Sequence, residues 1–171
     1  YFDKMFTRAP GQIDILRIAD DIGMQDRLIM SRNMFRKFIL PRLKKIIDMA
    51  HCHNVKVMFH SCGSILEIID DLIKIGVDIL DPIQVTAKGM EPEKLKKEFG
   101  DDITFWGGGC NTQNILSQGS KKDVRDNVEK LVNIFKPNTG FVFNQVHNIL
   151  GNVPPENIVT MLETAYENSF Y

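Results

Sequence analysis

The chain of 171 residues has no apolar run near the roughly 20 residues that cross a bilayer as a helix, and no basic-then-apolar leader opens it. No membrane partner is expected, and we read the protein as soluble, unsecreted and cytoplasmic. An excess of one charge is also missing: 21 Lys and Arg stand against 22 Asp and Glu. Without a basic field to hold a phosphate backbone, nucleic acid is not an expected partner. Cysteine is scarce, and the widely spaced Cys52, Cys62 and Cys110 suit free thiols in a reducing compartment rather than a disulfide framework. Low-complexity tracts are absent, and 43% hydrophobic residues support one globular core over residues 1–171. The chain opens at Tyr1 without Met, and its first ten residues read as the tail of something earlier, so a fragment is among the expectations.

Five short runs are apolar or β-branched and bounded by turn residues, as strands buried on both faces should be: 13–19, 55–59, 77–80, 103–106 and 141–143. Helical patterns lie between them. Ser64 with Glu67 reads as a capping box before a face of Leu66, Ile69, Leu72 and Ile73, which ends at Gly76. Pro92 suits the first turn of a helix reaching Phe99, and Pro155 the first turn of the last helix. Ser120 with Asp123 opens a helix whose face is Val124, Val128, Leu131, Val132 and Phe135. The longest helical stretch, 31–53, contains Pro41, which should kink or divide it. Strands alternating with helices imply a parallel sheet, either an open doubly wound one or a barrel.

Polar residues indicate which end of the sheet carries chemistry. The strand entrances hold Gln12, Asn54, Gly76, Asp102 and Thr139. The exits hold Asp20 and Asp21, His60 and Cys62, Asp81 and Gln84, Gly107 to Cys110, then Asn144, Gln145 and His147. Reactive side chains gathered at C-terminal strand ends are the pattern of a (β/α) barrel's active face. Five strands are three short of a closed eight.

His60-Ser61-Cys62 leaves a strand with imidazole and thiol on one side, a pairing that holds zinc or else a capping His beside a small buried Cys. Cys110 or His147, each after a later strand, could supply a third ligand and leave a fourth position open. The Gly107-Gly108-Gly109 run lets backbone approach a ligand or simply makes a tight turn. Asn144 to Asn148 is a polar run around His147, which could act as a general acid, a hydrogen-bond donor to a carboxylate, or a ligand. Asp20 and Asp21 could serve proton transfer or substrate binding, with helix capping the competing reading for one of them. His51-Cys52-His53 reads as solvated surface at a helix end.

With these residues in view, the sequence resembles the uroporphyrinogen decarboxylase superfamily. The resemblance rests on 18–23, 38–41, Phe59-His60-Ser61-Cys62-Gly63, the 76–84 segment ending Asp81-Pro82-Ile83-Gln84, Phe105-Trp106-Gly107-Gly108, and 144–148 through Pro155-Glu156-Asn157. It implies an α/β chain supplying roughly the C-terminal five βα units of a (β/α)8 TIM barrel, to be completed by a missing N-terminal half or by assembly with another copy.

Two branches follow from the resemblance. The first decarboxylates the acetate arms of a tetrapyrrole without a cofactor; there His147 matches a late catalytic histidine, and His147 with Asp21 would meet substrate carboxylates or pyrrole nitrogens. The second moves a methyl group from a methylated corrinoid protein to a thiol-type acceptor, and its His-x-Cys zinc pair is matched by His60 and Cys62. That branch usually completes its zinc site with a late Cys, which stands here as His147, while an acidic residue of the family appears as Gln84. Zinc-assisted methyl transfer is the leading expectation, with His60, Cys62 and either Cys110 or His147 as metal ligands. Catalysis falls to His147 and Asp21, and substrate contacts to Asp20, Gln84, Gly108 and Asn144. A non-catalytic tetrapyrrole- or corrinoid-binding piece, or one subunit of a split barrel, is the third reading.

Overall fold

The computed structural model describes residues 1–138 and 140–170. Helix α1 (Phe2–Arg8) leads into β1 (Ile15–Ala19), followed by α2 (Arg32–Met34) and α3 (Leu40–Cys52), then β2 (Lys56–His60) and α4 (Leu66–Lys74). Next come β3 (Ile79–Asp81), α5 (Pro92–Phe99), β4 (Thr104–Trp106), α6 (Lys121–Phe135), β5 (Phe141–Val142) and α7 (Pro155–Glu167). Thr139, named above as a strand entrance, lies outside the described residues.

The five strands form one parallel sheet in the order β1-β2-β3-β4-β5. A doubly wound sheet would reverse its strand order partway. Sequential order, with every crossover turning the same way, is that of a (β/α) barrel wall. The alternation of side chains then has a consistent meaning. Leu16, Val57, Phe59, Leu80 and Phe105 belong to the large apolar cluster shared with the helices. Their strand neighbours Met58 and Ile79, also buried, belong to neither apolar cluster and face the other side of the sheet. A smaller cluster joins Cys110, Leu116, Val124, Val128 and Met161 beneath α6 and α7.

Local sequence accounts for most element ends. Ser120 Oγ accepts from the Asp123 amide while the Asp123 carboxylate accepts from the Ser120 amide, so the expected capping box opens α6. All five residues of its expected face are buried. Ser31 caps α2 through its hydroxyl. Between α2 and α3 the chain widens into a π-helical turn, Phe35–Ile39, in which the Leu40 amide reaches back to the Phe35 carbonyl. Pro41, with no amide to donate, follows at once in the first turn of α3. It divides the long helical stretch without ending it. Ser64 does not cap α4: its hydroxyl donates to the Lys88 carbonyl at 2.7 Å, and the helix begins at Leu66 with Ile68 fully buried. That bond ties the β2 exit loop to the β3 exit loop instead.

Candidate metal centre

Parallel register decides which side chains meet at the C-terminal rim. Ala19 pairs with His60, and His60 with Asp81, on the sheet face turned from the helices. Ile79 pairs with Thr104, which by alternation brings Trp106 into the same row as Asp81. One row deeper stand Arg17, Met58 and Ile79. A cavity of about 530 Å³ opens over this face, walled by Arg17, His60, Asp81 and Trp106, with Asn144 and His147 from the loop after β5.

His60 Nδ1 lies 2.8 Å from Asp81 Oδ2. A carboxylate only accepts, so in the neutral tautomer that bonds Asp81 the proton sits on Nδ1 and Nε2 presents a lone pair. Arg17 donates to the same carboxylate oxygen through Nε at 3.4 Å and Nη2 at 3.3 Å. Its Nη2 also lies 2.6 Å from His60 Nδ1. In that tautomer Arg17 and His60 are two donors converging on one acceptor, Asp81 Oδ2.

Nε2 faces two further ligand groups. Cys62 Sγ is 3.9 Å away and Asp21 Oδ1 3.7 Å away, and the three atoms all lie within 4.8 Å of one another. Zinc bonds of about 2.0–2.3 Å to N, O and S place tetrahedral ligands about 3.3–3.6 Å apart. The two distances from Nε2 exceed that span by a few tenths of an ångström, so drawing the three groups inward would let them share one ion, and the mixed N, O and S set suits zinc. The two loops that carry them are tied together. Asp21 Oδ1 accepts from the Cys62 amide at 2.9 Å, Ser61 Oγ accepts from the Ile22 amide at 3.0 Å, and the Ser64 amide donates to the Met24 carbonyl at 2.7 Å.

Burial, then the charges of Asp21 and Asp81, push the Cys62 thiol up to about 11, with Arg17 opposing them. The thiol is therefore protonated at neutral pH and can donate to Nε2. A cation entering here would replace that proton and meet the carboxylate of Asp21.

The other expected site residues separate. Cys110 is fully buried in the apolar cluster under α6 and α7. Burial alone pushes its thiol up to about 12, and it is not among the atoms gathered at the centre. His147 is exposed, also outside that group, and lines both this cavity and a second one. Asn144 lines the first cavity and Gln84 the second. The Gln84 side chain also accepts from the Gly63 amide at 2.8 Å and donates to Gln25 at 2.9 Å, bracing the loop behind Cys62. Asp20 and Gly108 line neither cavity. The amides of Gly107 and Gly109 donate to the Val142 and Asn144 carbonyls, carrying the β4–β5 ladder past the strand ends, so these two amides are not left for an anion. His51 bonds Asp78 and His53 bonds Asp3, away from the rim. Arg17 and the role of Asp81 escaped the reading of motifs. The signal for Arg17 was a charge at period two with Ile15 and Ala19 inside an apolar run.

Residues 13–168 match the family model described as uroporphyrinogen decarboxylase (URO-D). The chain belongs to the URO-D family. It is 25% identical over 146 residues to a uroporphyrinogen decarboxylase of Rickettsia bellii, a match covering 83% of this chain and 40% of that protein. It is 30% identical over 141 residues to a methionine synthase of Methanocaldococcus jannaschii, covering 81% of this chain and 43% of that one. The chain thus spans less than half the length of these relatives. A methyltransferase from Methanosarcina mazei superposes with a TM-score of 0.71 at 19% identity, over 99% of this chain and 46% of that chain. The shared fold is that of the URO-D barrel wall.

Proposed function

We propose that this URO-D chain carries the metal-binding face of an enzyme that moves a methyl group from a methylated corrinoid protein to a thiol acceptor, with zinc held by Asp21, His60 and Cys62. The observation that carries this reading is the His60 imidazole, fixed on Asp81 through Nδ1 and turned through Nε2 toward Cys62 and Asp21. Metal-ligating histidines are oriented by a carboxylate in this manner. Three protein ligands leave a fourth position for the acceptor sulfur. Zinc bound there would lower the acceptor thiol's pKa, so that its sulfur meets the methyl group as a thiolate. His147, exposed on the wall common to both cavities, is available to accept the thiol proton. The names of the Methanocaldococcus and Methanosarcina proteins agree with methyl transfer.

The Rickettsia relative's name supports a second reading, decarboxylation of a tetrapyrrole's carboxylate arms, with His147 and Asp21 at the substrate.

Metal analysis of the purified protein, beside His60→Ala and Cys62→Ser, tests the leading reading. Bound zinc in the parent and loss in both variants are expected; a zinc-free parent would sink it. Incubation with methylcobalamin and a thiol, against incubation with uroporphyrinogen, then separates the two reactions.

A further inference from the structure

The second cavity, of about 410 Å³, has Asp21 and Cys62 in its wall, so it opens directly on the candidate centre. The rest of its wall is rich in uncharged polar side chains, including Gln25, Gln113, Gln118 and Asn152, and among the described residues no Lys or Arg lines it. Two of the amides are half used. Gln25 Oε1 accepts from Gln84 at 2.9 Å, and Gln113 Oε1 accepts from the Thr86 hydroxyl at 2.6 Å. The Nε2 groups of both remain as donors without a partner among the described residues.

We propose that this cavity receives the methyl acceptor and selects an uncharged polar thiol, one bearing a hydroxyl or carboxamide, over a thiol with an anionic tail. The inference rests on the metal-site reading above and names the substrate class for it. A dication at the centre would be balanced by the Asp21 carboxylate and a Cys62 thiolate, without the ion the Asp21 carboxylate leaves the wall negative, and in either state Arg17 is balanced by Asp81. An anionic tail in the cavity therefore meets no net positive charge and lies near Asp21. A neutral oxygen loses nothing by this, and it can accept from the free amide nitrogens of Gln25 and Gln113.

Competitive alkylation of Cys62 in the metal-free chain near pH 8, read by peptide mass spectrometry, tests the selection. Iodoacetamide and iodoacetate differ in charge at nearly constant shape and attack the same sulfur, so their rate ratio cancels the thiolate fraction. Relative to Cys62 in the chain unfolded in urea, folding should shift the ratio toward iodoacetamide by about fivefold or more. Gln113→Lys should remove most of that shift; if it fails to fold, Gln118→Lys on the same wall replaces it. An unchanged ratio, or one shifted toward iodoacetate, overturns the charge selection. Alkylation of the chain with and without added zinc reads the metal assignment separately. Protection of Cys62 by zinc is expected, and its absence overturns the metal reading together with the acceptor assignment.

Discussion

Replacing Gly23 with Ala should weaken the candidate centre without touching a ligand. A Cβ at this position would lie 2.4 Å from the Cys62 carbonyl oxygen and 2.9 Å from the Gly63 carbonyl carbon. Relaxed carbon contacts are about 3.5 Å, so the two exit loops must part by about 1 Å. Both obstacles are backbone atoms, and no rotamer change can clear them. Parting by that amount takes the Cys62 amide from 2.9 Å to nearly 4 Å from Asp21 Oδ1 and stretches the 2.7 Å bond from Ser64 to Met24 as well, beyond hydrogen-bonding range. Overpacking and the two weakened bonds together should cost about 2–4 kcal/mol. Because Asp21 and Cys62 move apart, zinc affinity should fall about 10- to 100-fold, the scale seen when groups that orient metal ligands are lost. Urea unfolding gives the first quantity and competition against a chromophoric chelator the second. Gly151→Ala is the control, since a Cβ there has nothing within 4 Å. If Gly23→Ala matched the parent in both measurements, the close approach of these loops would not be what gathers the ligands.

Asp81→Asn should lower zinc affinity about tenfold or more, because an amide holds the Nδ1 proton of His60 less strongly than a carboxylate; equal chelator competition curves would refute this. Cys110→Ala should leave zinc content unchanged and cost about 1 kcal/mol, while Cys110→Ser should cost about 1–3 kcal/mol by placing a hydroxyl in an apolar cluster; zinc loss in Cys110→Ala would make it a ligand. Hydrogen bonds from Arg36, opposed by burial and reinforced by Arg32, hold the Asp71 carboxyl at about 2, below its ordinary 3.8. A depressed carboxyl stabilises the fold fully above its unfolded value and loses that contribution as pH falls through its folded value. Asp71→Asn should therefore cost about 1–2 kcal/mol near neutrality, discounted for the partly exposed guanidiniums. In urea unfolding that difference should shrink between about pH 4 and pH 2, and a pH-independent difference would refute the assignment.

The strand runs were legible because each combines an apolar outer face with turn residues at its ends; every one of the five overlaps an observed strand. The direction of the crossovers was not, since alternation of strands and helices fits an open sheet as well as a barrel wall, and strand order is a tertiary property. At the site, the spacing of His60 and Cys62 was visible, and so was the rim that carries them. The partnership of His60 with Asp81 was not, because register between β2 and β3 is set by packing across the sheet rather than by spacing along the chain. One residue mattered: the expected strand stopped at Phe59, whereas β2 includes His60 and so makes it a register partner of Asp81. Cys110 shows the converse. A position after a strand fixes the end of the sheet a residue reaches, not the side to which it turns, and past Gly107–Gly109 the chain carries its thiol in among α6 and α7.

Asp81 has two tasks that pull against each other. To orient His60 it must stay ionised, yet its residue is only 8% exposed, and an ionised carboxylate so enclosed is costly without a partner. Arg17, one row deeper on the neighbouring face of β1, supplies that partner while remaining half exposed to the concave cavity. The pair is neutral as a unit, so it adds no net charge beside Asp21 and Cys62. None of Arg17, His60 and Asp81 belongs to the apolar clusters that hold sheet to helices. Chemistry at the rim can therefore differ among chains sharing this barrel wall while the packing behind it stays the same, which fits a family whose named relatives include both a decarboxylase and a methionine synthase.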